Sequence, residues 1–147
     1  MDAANPAMTT VDKAALLIEV DLFREVPSDA LAELAARMDE TAHPSGEILL
    51  EPGTPDPRVW VIVEGQVEIR RGTSAAGVLS RGNAFGLWAA LGLDQQETVL
   101  ASGPCRMLSV APEEYLDAMA DSPAFAVSTL RALGRRLQAS ESVIGPS

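Results

Sequence analysis

The sequence of 147 residues has almost none of the side chains that build disulfides and metal centres. It contains one cysteine, Cys105, and one histidine, His43. A single cysteine cannot form an internal disulfide, and neither residue belongs to a Cys/His cluster with the spacing of a zinc site. We therefore expect no metal site and a protein of the reducing cytoplasm. Cys105 is predicted to be a small buried hydrophobe, and His43 to be structural or exposed.

Positive charge and long apolar runs are also scarce. The chain has 11 Lys and Arg residues and 21 Asp and Glu residues, which gives a net charge of −10 and a pI near 4.4. Such a surface repels phosphate backbones and anionic lipid, so neither nucleic acid nor a membrane surface is an expected partner. No apolar run approaches the ~20 residues that span a bilayer. The first ten residues lack the basic and apolar regions of a secretory signal.

Catalytic signatures are missing as well. The sequence has no nucleophile elbow, P-loop or HExxH motif, and no pair of carboxylates is specified by its spacing. We therefore predict that the protein is not an enzyme, and we assign it no cofactor.

Hydrophobic residues make up 47% of the chain, and this length suits one domain with a sizeable core. Residues 1–11 have no periodicity and are interpreted as a disordered arm before a domain at 12–141 and a tail at 142–147. Asp12 is a candidate N-cap for a first helix, and Ser28 for a second. The apolar residues at helical spacing are Leu16, Leu17, Val20 and Phe23 in the first segment, and Leu31, Leu34, Ala35 and Met38 in the second.

The middle of the chain changes to short apolar segments separated by glycines. Val59–Val63 is apolar on both faces and is expected to be a central strand, and Glu64-Gly65 after it is read as a hairpin turn. Strands with turn signals every 8–12 residues favour an antiparallel sandwich or barrel. The predicted strands are 47–51, 58–63, 66–70, 77–80, 98–101 and 106–110.

The last third is predicted to be helical again. Pro112 is typical of a first helical position, and Ser122-Pro123 begins a longer helix that ends by about Glu141. One stripe of that helix allows two interpretations, a face packed on the strands or the seam of a homodimer. The stripe consists of Ala126, Leu130, Leu133 and Leu137. The predicted fold class is therefore α+β, mainly β: an eight-stranded antiparallel β-roll or jelly roll flanked by N-terminal helices and two C-terminal helices.

Several landmarks in this order resemble a known family. Pro44-Ser45-Gly46-Glu47 precedes an apolar strand, Glu51-Pro52-Gly53 follows it, Gly65-Gln66-Val67-Glu68 comes after the central strand, and Gly82-Asn83-Ala84-Phe85-Gly86 comes later. From about residue 12 to 140 the chain resembles the cyclic-nucleotide-binding domain of catabolite-activator-type regulators, kinase regulatory subunits and gated channels. The resemblance implies the β-roll, a phosphate-binding cassette between Gly82 and Ser102, and a C-terminal helix that often forms a dimer seam.

The cassette departs from the family pattern at its charged positions. Leu87 stands where the family has a Glu for the ribose hydroxyl, and Gln95 where it has an Arg for the phosphate. Gln96 replaces a Ser or Thr, and no Arg or Lys occurs between Arg81 and Arg106. Loss of a charge-assisted pair at a buried anion costs a few kcal/mol, or two or more decades of affinity. The candidate ligand residues of this degenerate cassette are Phe85, Gly86, Leu87, Trp88, Ala89, Gln95, Gln96 and Thr98.

Three functions remain open at this point. The first is a regulatory, ligand-sensing or interaction module that does not bind cAMP or cGMP in the usual way. Its partner is a small-molecule effector or another protein, and Leu87 with Trp88 could line an apolar pocket, form a partner surface or fill the empty site. The second is a true cyclic-nucleotide sensor that uses the amides of Gly86–Ala89, with Arg81 or Arg106 moving in. The third is a structural dimerisation domain.

Overall fold

The computed structural model describes residues 7–144 and contains eight strands and five α-helices in that range. The N-terminal helices are α1 (Thr10–Ile18) and α2 (Ser28–Arg37), with a short 3-10 turn between them at Asp21–Phe23. The remaining elements are β1 (Asp39–His43), β2 (Ile48–Leu50), β3 (Val59–Glu64), β4 (Gln66–Arg71), β5 (Ser74–Ser80), β6 (Ala84–Phe85), α3 (Leu87–Ala90), β7 (Thr98–Ala101), β8 (Cys105–Val110), α4 (Pro112–Asp121) and α5 (Pro123–Ile144).

The strands form two four-stranded antiparallel sheets. Sheet A has the order β1-β8-β3-β6, and sheet B has the order β2-β7-β4-β5. The predicted eight-stranded antiparallel roll with flanking helices is therefore confirmed. β3 lies inside sheet A between β8 and β6, as its apolar character on both faces predicts, because an internal strand between two packed layers has no wet face.

The alternation along β3 divides the interior into two cores. Val59, Val61 and Val63 face the helices, whereas Trp60 and Ile62 face sheet B. Successive side chains of a strand point to opposite faces, so sheet A is the middle layer between the helices and sheet B. The helix-side core includes Leu34, Leu87, Leu108, Tyr115 and Phe125. The roll core includes Leu50, Trp60, Phe85, Val99, Cys105 and Met107.

The predicted hairpin at Glu64-Gly65 is wrong. β3 pairs with β6 and β8, and β4 pairs with β5 and β7, so the two consecutive strands lie in different sheets. Gly65 has φ +95°, and a Cβ atom there would lie 2.6 Å from the carbonyl oxygen of Pro104. The turn is a corner at which the chain crosses from sheet A to sheet B. In the sequence, a hairpin turn and a corner between two sheets look the same, because each is a tight turn between two apolar runs.

The first helix begins earlier than predicted. Thr9 is its N-cap, and Asp12 is the N3 residue of a capping box rather than the cap itself. The amide of Asp12 donates to Thr9 Oγ1 at 3.1 Å, and the amide of Thr9 donates to Asp12 Oδ2 at 3.0 Å. Helical structure therefore extends into the segment predicted as an arm, of which residues 1–6 lie outside the described part of the chain. Ser28 is also not a cap, because it is the first residue of α2 and Pro27 precedes it as N-cap.

The C-terminal helices start where the sequence predicts. Pro112 occupies the first turn of α4, and α5 begins at Pro123, where the amide of Phe125 donates to Ser122 Oγ at 3.2 Å. α5 continues to Ile144, three residues past the expected end at Glu141. The rest of the predicted tail, residues 145–147, lies outside the described part of the chain.

α5 does not bury the face that carries Leu130 and Leu137. Leu130 and Leu137 are 63% and 58% exposed, while Ser128 and Thr129 are buried. Ser128 Oγ donates to the carbonyl oxygen of Leu22 at 3.0 Å, and Thr129 Oγ1 lies 2.8 Å from the hydroxyl of Tyr115. Because both hydroxyls have partners, burying them costs little. The packed-stripe interpretation is therefore wrong for Leu130 and Leu137.

Candidate functional site

The cassette begins at a backbone position that only glycine can occupy. Gly86 is the N-cap of α3 with φ +93°, and its carbonyl oxygen accepts from the amide of Ala90 at 3.0 Å. A Cβ atom on Gly86 would lie 2.3 Å from the carbonyl oxygen of Arg58. Phe85, one residue earlier, is the cross-strand partner of Trp60 in β3. The start of α3 is therefore fixed against the start of β3.

Leu87 does not face a ligand pocket. Its side chain is 1% exposed and belongs to the helix-side core. At the position where the family resemblance places a ribose-binding carboxylate, this chain has a buried apolar side chain. Trp88, the next residue, is 38% exposed, and Ala89 packs against the roll core. Its place in the helix-side core matches none of the three roles considered for Leu87, since it neither lines nor fills a site at the cassette and is not exposed to a partner.

A cavity of about 530 Å³ lies between the β2–β3 loop and the segment that follows α3. Three of the predicted ligand residues line it, namely Ala89, Gln95 and Gln96. The other predicted residues, Phe85, Gly86, Leu87, Trp88 and Thr98, are not part of its wall. The lining also includes residues that the sequence analysis did not assign to a site: Leu50, Glu51, Pro52, Gly53, Thr54, Pro57, Gly92, Leu93 and Asp94. The sequence analysis used the Glu51-Pro52-Gly53 motif only as a landmark of the family resemblance.

The charged side chains of this cavity are both acidic. Glu51 lines one wall and Asp94 the other, and no Lys or Arg is among the lining residues. Gln95 Nε2 donates one hydrogen bond to the carbonyl oxygen of Glu97 at 2.7 Å, which leaves its second N–H as a neutral donor. The cavity therefore presents two negative charges and neutral amide groups, and no positively charged side chain for an anion.

The two arginines that could have replaced the cassette cation are engaged elsewhere. Arg81 Nη1 donates to the carbonyl oxygen of Val63 at 2.9 Å. Arg106 forms ion pairs with Glu40 and Glu64. Neither arginine lines the cavity beside the cassette.

Thr98 lies on the outer face of sheet B. Its cross-strand partner in β4 is Arg70, whereas the neighbouring pair Val99 and Ile69 belongs to the roll core. Directly opposite residues of an antiparallel pair share a face, so Thr98 and Arg70 point away from the interior. The β7 residues that face the interior are Val99 and Ala101.

His43 and Cys105 line a second cavity, of about 430 Å³, together with Arg106 and Glu64. The imidazole of His43 hydrogen-bonds through Nδ1 to Glu47 Oε2 at 2.8 Å and through Nε2 to Thr41 Oγ1 at 2.7 Å. Its ring also lies edge-on to the indole of Trp60, with centroids 5.4 Å apart. Both ring nitrogens of His43 thus have protein partners.

Cys105 is buried, as predicted, and its thiol lies 3.0 Å from the carbonyl oxygen of Gln66. Among residues 7–144 no group of three or more His, Cys, Asp or Glu side chains is placed to hold a metal ion. Within the same range no helix has the length and apolar character needed to cross a bilayer.

The protein is a roll of two four-stranded sheets with a glycine at the corner between them. A short helix follows a Phe-Gly pair, and two helices follow the last strand. This combination defines the class of cyclic-nucleotide-binding-type regulatory domains. The family model described as "Cyclic nucleotide-binding domain" matches residues 40–122. This segment is more than half of the chain, and the protein therefore belongs to the cyclic nucleotide-binding domain family. The fold is typical of regulatory and sensor domains.

Solved structures support the same fold. The N-terminal domain of a transcriptional regulator from Streptomyces coelicolor is 24% identical, with a TM-score of 0.71 over 86% of this chain and 95% of that one. The sensor domain of the transcriptional regulator DNR from Pseudomonas aeruginosa is 22% identical, with a TM-score of 0.75 over 89% of this chain and 92% of that one.

A more distant match is the regulatory domain of Toxoplasma gondii PKA with cAMP, at 13% identity and a TM-score of 0.73 over 85% of this chain and 50% of that one. At these identities the likeness shows the fold alone. No curated protein matches the sequence at a significant level.

Proposed function

We propose that this protein is a non-enzymatic regulatory module that does not bind cAMP or cGMP in the manner of its family. The observation that carries the proposal is the wall of the cassette cavity, whose charged side chains are Glu51 and Asp94. A cyclic nucleotide carries a phosphodiester anion, and recognition of such a group depends on Arg or Lys and on oriented donors. Two carboxylates at the same place oppose it.

The position of Leu87 supports the same conclusion. A ribose hydroxyl needs an acceptor, and at this position the chain offers a leucine that is buried in the helix-side core. Reversing this arrangement would mean expelling Leu87 from the core, and exposing a buried leucine side chain costs ~1.5–3 kcal/mol. The alternative sensor, which would recruit Arg81 or Arg106, would have to break the hydrogen bond to Val63 or the ion pairs with Glu40 and Glu64.

Calorimetric titration with cAMP and cGMP tests the proposal. The protein concentration should be high enough to detect a dissociation constant of ~100 μM, which corresponds to about −5.5 kcal/mol. We expect no saturable heat and no shift in melting temperature. Saturable binding of either nucleotide, weakened by Arg81→Ala or Arg106→Ala, would establish the alternative sensor instead.

A second candidate function is self-association through α5. It is favoured by Leu130 and Leu137, two large apolar side chains that are more than half exposed on the same helix. Leucines seven residues apart lie on one face of a helix, as in a coiled-coil seam. The two functions are compatible, because a regulatory module can signal through a dimer interface.

A further inference from the structure

We infer that two copies of this chain associate by packing α5 of one copy against α1 of the other, with the two helices antiparallel. A two-fold axis makes the contact twice. This inference rests on the second candidate function, self-association through α5, and it names the surface on which α5 packs. It is carried by an uncovered apolar face on each helix, by the matching sizes of their side chains, and by opposite charges along one border.

α1 carries apolar side chains on two faces. One face packs into the helix-side core through Leu16 and Leu17. The other, the outer face of α1, consists of Val11, Ala15 and Ile18, which are spaced i, i+4 and i+7. Val11 is 77% exposed and Ile18 is 63% exposed, so nothing in the described part of the chain covers them. The side of a surface helix opposite its buried face is normally polar, and this one therefore has the character of a contact surface.

The outer face of α5 has the same spacing. It consists of Leu130, Gly134 and Leu137, and both leucines are more than half exposed. A Cβ atom on Gly134 would have no neighbour within 4 Å, so packing inside the chain does not require a glycine there. A glycine in a helix interior costs ~1 kcal/mol relative to alanine. Close approach of a second helix gives this glycine a role, because the distance between two helix axes depends on the side chains at their contact.

The two outer faces belong to helices that meet at one turn. α1 leads into the 3-10 turn at Asp21–Phe23, and α5 is fastened to the same turn. Ser128 Oγ donates to the carbonyl oxygen of Leu22 at 3.0 Å, and Arg135 pairs with Asp21 at 3.6 Å. α1 and α5 therefore lie on one side of the roll. In a two-fold dimer every contact occurs twice, so an axis beside this turn covers both outer faces of both copies.

Antiparallel packing places side chains of matching size opposite each other. With the small residues of the two outer faces in register, the facing pairs are Val11 with Leu137, Ala15 with Gly134, and Ile18 with Leu130. Two large apolar side chains then meet at each end of the contact, and two small ones meet at its centre. The helix axes can therefore approach closely at the centre while the ends fill the space between them.

The charges along one border favour the antiparallel direction. Asp12 and Glu19 border the outer face of α1 on one side, and Arg131 and Gln138 border the outer face of α5 in the same way. Antiparallel packing brings these two borders together, so that Glu19 meets Arg131 and Asp12 meets Gln138, whereas parallel packing separates them. Arg131 already pairs with Glu25 of its own copy. Its side chain is nevertheless 59% exposed, and a guanidinium has five donors.

Sedimentation velocity of the full chain tests the contact. We expect a monomer–dimer equilibrium with a dissociation constant below ~100 μM, measured at ~150 mM salt to screen the net charge of each copy. Ile18→Glu should weaken the dimer at least ~10-fold, because it places a charge in the apolar contact. Ile48→Glu is the matched control, since Ile48 is 50% exposed but lies on β2 in sheet B, and it should leave the association unchanged.

Cysteine variants identify the surface that α5 meets. Ala15→Cys and Gly134→Cys each add a thiol at an exposed position, whereas the native Cys105 is buried. With dissolved oxygen as the oxidant, a mixture of the two variants should form a disulfide-linked dimer, and neither variant alone should do so. Wild type is the blank. Asp12→Cys mixed with Gln138→Cys should also form a linked dimer, and Asp12→Cys mixed with Arg131→Cys should not.

The outcomes separate this inference from the second candidate function. A wild type that is monomeric at every concentration would overturn both. A dimer that Leu130→Glu disrupts and Ile18→Glu does not would overturn only the inference, and so would a Gly134→Cys variant that links to itself, because α5 would then pack on α5. Linkage of Asp12→Cys to Arg131→Cys in place of Gln138→Cys would overturn the antiparallel direction.

Discussion

The backbone of Arg58 lies so close to Gly86 that a Cβ atom on the glycine would sit 2.3 Å from the Arg58 carbonyl oxygen. Arg58 itself is held in place, because its Nε atom donates to Ser109 Oγ at 2.8 Å and its guanidinium pairs with Asp39 at 2.7 Å. The cassette helix α3 therefore begins against a rigid strand. The contact between Gly86 and Arg58 is made by backbone atoms, so it does not depend on a ligand of the cassette.

We expect Gly86→Ala to destabilise the protein by at least ~2 kcal/mol more than Gly92→Ala. Both glycines have positive φ, so both alanines bear a backbone strain of ~1–2 kcal/mol, but only Gly86 has a neighbour within 4 Å of the added Cβ. Urea unfolding followed by circular dichroism measures the difference. Equal losses would mean that the β3 backbone moves aside at little cost.

Leu87→Glu should cost ~3–5 kcal/mol, because it places an unpaired carboxylate in the helix-side core. Leu87→Met keeps the volume and the apolar surface, and it should cost less than ~1.5 kcal/mol. Thermal unfolding of the two variants at neutral pH is the measurement. A fully stable Leu87→Glu that also gained cAMP binding would show that this side chain can turn toward a ligand, contrary to its position here.

Leu130→Glu should abolish any concentration-dependent self-association while leaving the melting temperature of the monomer nearly unchanged, since Leu130 is 63% exposed. Leu116→Glu on α4 is the matched control, because Leu116 is 46% exposed but lies on another helix. Sedimentation velocity over a range of concentrations gives the readout. If wild type stays monomeric throughout, or if both variants dissociate a dimer equally, α5 is not the interface.

Tyr115 should make the fold sensitive to alkaline pH. Burial raises the pKa of its hydroxyl well above the ordinary value of about 10, although the hydrogen bond with Thr129 and the nearby charge of Arg136 lower it in part. A phenol whose pKa is raised on folding contributes stability below the pKa of the unfolded chain. That contribution declines as the pH rises beyond ~10.

The chain has a single tyrosine, so tyrosinate absorbance reports on Tyr115 alone. We expect this absorbance to rise together with the loss of ellipticity and not before it. Tyr115→Phe should be less stable by ~1 kcal/mol at neutral pH, because Thr129 loses its partner. The same variant should show a flatter decline of stability above pH ~10. Ionisation of Tyr115 in the still-folded protein would contradict the burial argument.

Patterns among neighbouring residues explain which features of the fold could be predicted from the sequence. The continuous apolar run at Val59–Val63 and the helical spacing in α1, α2 and α4 are local properties of neighbouring residues, so these elements and the roll follow from the sequence. β1 and β6 carry no such local pattern and were not predicted as strands. The choice between a hairpin and a corner at Glu64-Gly65 depends on which strands lie beside β3 and β4. The partners β8 and β7 are far away along the chain, and the close contact of Gly65 with Pro104 is equally non-local.

The sequence by itself determined the family, the acidic character and the lack of a basic residue in the cassette, because these depend only on which residues occur and in what order. The tertiary structure decided that Leu87 joins the helix-side core, that Leu130 and Leu137 stay exposed, and that Glu51 and Asp94 line the same cavity. A helix can bury serine and threonine when distant groups satisfy their hydroxyls, as Leu22 and Tyr115 do here. Such pairings are set by three-dimensional packing, and no local pattern encodes them.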